Sequence, residues 1–266
     1  MGKFIRADIY RIVRGKALYI TFVLLLALNV LTVAIEQQGT VGAGMYELDE
    51  AYGHNPAHTR FDGIHIVPVL YESMDNTAYY LLPLFILAAA PMFSHGTVKN
   101  TLSCGTARTK LYLSKLILTS GLTVAMMLFY LASGVLVATI FHGYGGTSPD
   151  GYWLHVLKIC SAQLLLLLAL NCVGTFLVFA FRRTAIVNGV YIAFCLVPAV
   201  VIMALTNVSE GFVRIYDFDL LGNIRKFGFI DALTAADILK GFATGAFYII
   251  APTIAGIALF KKAEIK

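Results

Sequence analysis

Six stretches of this chain are apolar over the length that a lipid bilayer demands, and no other feature limits the fold as strongly. A span needs ~20 mainly apolar residues, because a helix must cross ~30 Å of hydrocarbon with every backbone N–H and C=O paired internally. The stretches cover residues 17–35, 78–94, 116–141, 159–181, 185–205 and 242–260. The second is short and carries Pro83 and Pro91, which are expected to interrupt it. The first exceeds the ~7–15 apolar residues of a cleaved signal and reads as an anchor. Composition points the same way: 13% of the 266 residues are charged, against ~25% in ordinary soluble domains. With a mean hydropathy of +0.78, a disordered chain, a nucleic-acid module and an ordinary soluble enzyme are excluded. The expected class is an all-α polytopic membrane protein forming a single transmembrane domain over residues 1–266.

Lysine and arginine set the orientation. Lys3, Arg6, Arg11, Arg14 and Lys16 precede the first span with Asp8 as the only acid. Lys99, Arg108, Lys110 and Lys115 follow the second, Arg182 and Arg183 join the fourth to the fifth, and Lys261, Lys262 and Lys266 follow the sixth. The loops at 36–77 and 206–240 hold most of the acids: Glu36, Glu47, Asp49, Glu50, Asp62, Glu72 and Asp75 in one, Glu210, Asp217, Asp219, Asp231 and Asp237 in the other. Both termini are therefore expected in the cytoplasm of a plasma-membrane protein. The net charge of +5 reports insertion topology, not a nucleic-acid partner.

On a helical wheel, residues 3–16 place Ile5, Ile9, Ile12 and Val13 on one face and Lys3, Arg11 and Arg14 on the other. That pattern suits an amphipathic helix lying at the lipid interface, with Gly15 turning the chain into the first span. In the fourth span, Gln163 and Asn171 are eight residues apart and share a face. Amides in hydrocarbon must be paired, so they act either as ties between helices or as the lining of a polar cavity. Gly241 and Gly245 form a small-xxx-small pair that allows close helix approach. In the last external loop, Phe212, Ile215 and Tyr216, then Phe227, Phe229, Ile230 and Leu233, suggest short helices dipping into the outer interface.

Catalytic chemistry has no clear carrier. His54, His58 and His65 lie in one loop near Asp62, but Pro56 breaks any helix that would present the first two rings together. No GxSxG, HExxH or Walker A pattern occurs, and Gly39, Gly42 and Gly44 open no phosphate-binding helix. Cys104, Cys160, Cys172 and Cys195 lack CxxC spacing, and three of them sit in apolar runs as small core residues. The spans hold essentially no acids or histidines of the kind that intramembrane enzymes and ion-coupled carriers use. No cofactor, metal or catalytic residue is expected in this chain.

The distinctive segment is residues 94–115, SHGTVKNTLSCGTARTKLYLSK. Val98, Thr101 and Leu102 sit at helical spacing, Gly105 can end that turn in a left-handed conformation, and Thr106 can start the next helix. A short surface helix joined by glycine to a spanning helix can pass a push from a cytosolic partner to the span. At these residues the chain resembles the membrane subunits of type-2 ABC exporters. The matching positions are Gly96, Thr97, Val98 and Lys99, then Gly105, Thr106, Ala107 and Arg108, then Lys115. Ser94 and His95 stand where the family commonly has a glutamate, so no role of that carboxylate carries over. The layout of an interfacial helix, six spans and short cytoplasmic coupling helices is similar over the whole chain.

The resemblance implies a division of labour. A separate ATPase, two copies binding ATP and Mg, would dock beneath Gly96, Thr97, Val98, Lys99, Leu102, Gly105, Arg108 and Lys115, with Arg182 and Arg183 as a second contact. Two permease chains would pair, and Gln163 and Asn171 would be candidate cavity residues. Among such exporters the compact six-span form looks like the bacterial systems that export amphipathic peptides, including phenol-soluble-modulin exporters and lantibiotic self-protection systems. The cargo would be an amphipathic peptide or lipophilic compound drawn from the bilayer. Two other classes fit the composition: an ATP-independent carrier or channel, and a non-transporting scaffold or sensor.

Overall fold

The computed structural model describes residues 2–35, 61–94, 98, 101, 103, 105, 107–148, 150–206 and 217–262. Among them every regular element is helical. In chain order these are α1 (Gly2–Arg14), α2 (Lys16–Ile35), α3 (Ile66–Glu72), α4 (Thr77–Ala89), α5 (Pro91–Ser94), α6 (Arg108–His142), α7 (Tyr152–Phe181), α8 (Thr184–Thr206), α9 (Leu220–Lys226) and α10 (Ala235–Lys262). Two 3-10 segments, Met74–Asn76 and Phe227–Ala232, lead into α4 and follow α9.

Among the described residues six helices are long and apolar enough to cross a membrane: Lys16–Ile35, Met74–Phe93, Arg108–His142, Tyr152–Phe181, Thr184–Ile202 and Ala235–Lys262. Their apolar side chains face outward as well as inward. Ile20, Val23, Leu24 and Leu31 on α2, and Phe247, Ile250 and Ile254 on α10, are all exposed. Such an outer surface is stable where the solvent is hydrocarbon. The bundle is centred on α7, of whose apolar window 67% is buried, against 17% for α10.

Several boundaries differ from the sequence expectation. The second span does not break at Pro83, which sits inside α4. Helix α6 begins at Arg108 instead of 116, because Leu111, Tyr112 and Lys115 already point into the core. Helix α7 begins at Tyr152, after Gly151 in the left-handed region at φ +78°. Helix α10 begins at Ala235 instead of 242. Thr234 precedes it, its Oγ1 donating to Asp237 Oδ2 at 2.6 Å and accepting from the Asp237 N–H at 3.3 Å.

The end of the bundle that holds α1 and Lys262 is the foot; the opposite end, holding α3, α9 and the two 3-10 segments, is the crown. In the crown, residues 61–77 and 217–234, which fall in the loops expected at 36–77 and 206–240, are partly helical, and Ile66, Val69, Leu70, Met74, Leu220, Ile224 and Phe227 are essentially inaccessible. The 3-10 segment Phe227–Ala232 lies where the sequence led to the expectation of a short helix, with Phe227 and Ile230 buried among the other helices. The small pair on α10 serves this packing: a Cβ at Gly241 would meet Phe227 Cζ at 2.6 Å, and one at Gly245 would meet Leu165 Cδ2 at 2.6 Å. Phe212, Ile215 and Tyr216 lie outside the described residues.

Candidate functional site

The foot gathers most of the candidate coupling residues that the structure describes. Gly105 has φ +79°, the left-handed conformation that glycine adopts without strain. Helix α6 starts three residues later and runs unbroken for 35 residues. At ~1.5 Å per residue it reaches ~52 Å, well past the ~30 Å hydrocarbon layer. A glycine joint thus adjoins a single rigid rod. Val98 is helical and buried. Gly96, Thr97, Lys99 and Leu102 lie outside the described residues.

Arg108 and Lys115 are both engaged within the chain. Arg108 Nη1 donates to the carbonyls of Phe260 at 3.2 Å and Lys261 at 2.6 Å, binding the start of α6 to the last turn of α10. Carbonyls in the last turn of a helix are groups that a guanidinium satisfies well. Lys115 is 4% exposed. Its Nζ donates to Asp8 Oδ2 at 2.6 Å, joining α6 to α1. The other Asp8 oxygen lies 3.2 Å from Arg11 Nη2, which also donates to the Ala88 carbonyl of α4 at 3.3 Å. Asp8, the single acid of its segment, is the centre of this clamp.

An aromatic knot joins the same elements. The Phe179 ring of α7 stands edge-on to Tyr112 of α6 at 4.7 Å, to Phe260 of α10 at 5.0 Å and to Phe93 of α5 at 5.4 Å. Arg182 ends α7 at φ +56°, its N–H donating to the Val178 carbonyl, and its guanidinium lies 6.0 Å from the Phe93 ring centroid. Arg183 is exposed beside it, as is Lys110 on the first turn of α6. A displacement of the α6 start therefore reaches α1, α7 and α10 through short, specific contacts.

The candidate cavity residues are both buried ties. Gln163 Nε2 donates to the Tyr71 carbonyl at 2.6 Å and to the Ile224 carbonyl at 3.0 Å. It thereby fixes both crown segments to α7. Asn171 Nδ2 donates to Ser120 Oγ at 3.1 Å, one turn from a Thr119–Thr175 hydroxyl contact at 3.2 Å. The side chains are 0% and 1% exposed, so in this arrangement they bind helices together instead of lining open space.

Sequence reasoning missed several groups. Asn29 donates to the Tyr130 carbonyl at 3.0 Å and to Ser133 Oγ at 2.7 Å; a lone amide in an apolar run was its signal. Asp75 and Arg225 are 6% and 4% exposed in the crown, within electrostatic reach of each other and of Asp219. Asp75 lies outside the second stretch expected at 78–94 but at the start of the spanning segment Met74–Phe93. Burial pushes the Asp219 carboxyl above its ordinary value, against the pull of the Gly222 N–H that it accepts.

His65 pairs locally with Asp62, Nδ1 to Oδ1 at 2.6 Å. Burial raises the Asp62 carboxyl, but the His65 backbone and ring contacts outweigh this and leave it below the usual range. His54 and His58 lie outside the described residues. Among the described residues no cluster of three or more His, Cys, Asp or Glu side chains is disposed around a metal position. Neither a known protein-family model nor a curated protein matches the chain.

Proposed function

We propose that this chain is the membrane subunit of an ATP-driven exporter, energised by a separate ATPase that docks at the foot. The observation that carries the reading is the Gly105 joint at φ +79° leading within three residues into the 35-residue rod of α6. Local hinging there converts a push on residues 96–105 into a tilt of a helix that crosses the whole bilayer. The ties from α6 to α1 and α10 spread that tilt through the bundle. The positive-inside pattern puts the foot in the cytoplasm, beside any nucleotide-hydrolysing partner. On this reading α1 lies in the inner interface and two copies of the chain work together. The cargo is an amphipathic peptide or lipophilic compound taken from the bilayer. This chain supplies no catalytic group and binds no cofactor; ATP and Mg belong to the ATPase.

A second reading, an ion-coupled carrier, is favoured by the buried Asp75–Arg225 pair, since ionisable groups at such depth mark ion routes in many carriers. One experiment separates the two. Arg108 is a poor probe because it holds α10, so charge reversal belongs at the exposed Lys110 and Arg183. Membranes carrying Lys110→Glu and Arg183→Glu together are expected to lose about tenfold in cargo-stimulated ATP hydrolysis, with insertion unchanged. Efflux by the purified chain alone under an ion gradient would establish the carrier instead.

A further inference from the structure

The bundle leaves a lateral slot at its crown end, between α8 and α10. These helices each pack on α7 and hardly touch one another. An open hollow of about 730 Å³ lies against Lys240, Ala243, Thr244, Phe247 and Tyr248 of α10, beneath Asp217 and Phe218. A pocket of about 230 Å³, sharing Phe218 and Tyr248, continues it to α8. The rings of Phe194 and Tyr248, 5.9 Å apart, bridge the two helices.

The slot has a charged mouth and an apolar body. At the mouth Lys240 Nζ lies 3.0 Å from Asp217 Oδ2 and 3.6 Å from Asp237 Oδ1, and Lys226 Nζ lies 3.2 Å from Asp217 Oδ1. Two ammonium groups and two carboxylates are thus gathered with no net charge, and Lys240 is 54% exposed. From Lys240 to Tyr248 the helix descends ~12 Å, the passage from headgroup level into acyl chains. Phe247 lines the body and is exposed, as are Ile250 and Ile254 further along the same helix. An apolar hollow of this size beside hydrocarbon does not hold water, and left empty it forfeits the dispersion contacts of its walls.

We propose that this slot binds one phospholipid from the leaflet on the crown side. Its acyl chain lies against Phe247 and Tyr248, and a headgroup with a phosphate and a primary ammonium lies over Lys240 and Asp237. The phosphate accepts from the Lys240 ammonium, and the amine donates to the Asp237 carboxylate. A choline headgroup lacks that N–H donor. A purely anionic headgroup has no ammonium to offer Asp237 once Lys240 turns to the phosphate. The site stands on the slot alone and does not depend on the exporter reading.

The test is native mass spectrometry of the full chain extracted from membranes holding equal amounts of phosphatidylethanolamine, phosphatidylcholine and phosphatidylglycerol. One retained phosphatidylethanolamine per chain is expected, in excess over the other two. Lys240→Ala is expected to lower that retention about fivefold, the loss of one lysine contact to a phosphate. Because Lys240 also holds Asp217, the deciding variant is Ala243→Trp, an exposed position whose new ring fills the slot. It is expected to remove the retained lipid with the unfolding temperature unchanged, while Ala246→Trp, exposed on the same helix outside the slot, retains it. Equal retention of the three headgroups, retention that survives Ala243→Trp, or an amphipathic peptide in place of the lipid would overturn the proposal.

Discussion

The two ends of the bundle are held together by different chemistry. At the foot, charged side chains reach between elements: Lys115 to Asp8, Arg11 to Asp8 and Ala88, Arg108 to the end of α10. At the crown the ion pairs of Asp217 with Lys226 and Lys240 lie at the rim, and the tie inside the core is an uncharged amide, Gln163 gripping the carbonyls of Tyr71 and Ile224. The foot has a glycine joint at its edge and exposed basic side chains around it. The crown has short helices wedged into the core. On the exporter reading proposed above, the foot receives a push and the crown stays seated until the helices around it move.

The largest expected effect comes from breaking the foot's buried ion pair. Lys115→Met leaves Asp8 without its main partner and is expected to cost about 3 kcal/mol, read as thermal unfolding in detergent. Adding Asp8→Asn is expected to recover most of the loss, because the penalty lies in the orphaned charge. A single variant as stable as the parent would show that the clamp contributes nothing. Next comes Gln163→Leu, which strands two carbonyls for about 2 kcal/mol. Its signature is regional: hydrogen exchange should quicken over α3 and α9 and leave α1 and the end of α10 unchanged. Exchange that rises equally at both ends would erase the contrast drawn between them.

Arg108→Ala is expected to cost about 1 kcal/mol, since the site is partly solvated, and to loosen the last turn of α10 by hydrogen exchange. The smallest effect concerns pH at the crown. Burial pushes the Asp217 carboxyl up, but hydrogen bonds from Lys240 and Lys226 outweigh it and hold the group below its ordinary 3.8. Its folded pKa is thus lower than its unfolded one. The stability it contributes is complete above about pH 3.8 and is lost as the pH falls through the folded value. Asp217→Asn is therefore expected to flatten the acid limb of the stability profile below about pH 3.8. An unchanged acid limb would show that the lysines do not hold this carboxylate.

The six spans were legible because hydrocarbon imposes a length and a composition that few other settings require. The starts of α6, α7 and α10 were not, because their first turns leave the apolar layer and carry Lys110, Lys158 and Asp237 on the same helices. The crown was legible only as short helices around residues 227–233, for a different reason. A seven-residue helix shows too little periodicity to announce itself, and Asp75 and Arg225 read as solvated loop charges until their burial is seen. Gln163 was recognisable as an amide that needs partners, yet those partners are backbone carbonyls 92 and 61 residues away, which no local pattern encodes. At the foot the joint at Gly105 was legible from turn chemistry. The inward commitments of Arg108 and Lys115 were not, since a basic residue near a span reads equally as an anchor, a contact or a clamp.

Docking of a nucleotide hydrolase at the foot, as proposed, can be read by placing a photo-crosslinking side chain at the exposed Lys110 position in native membranes and identifying the adduct by mass spectrometry. A protein bearing a Walker A sequence is expected, captured less when Arg183→Glu is also present. Adducts with lipid alone, or with proteins that bind no nucleotide, would overturn the proposal.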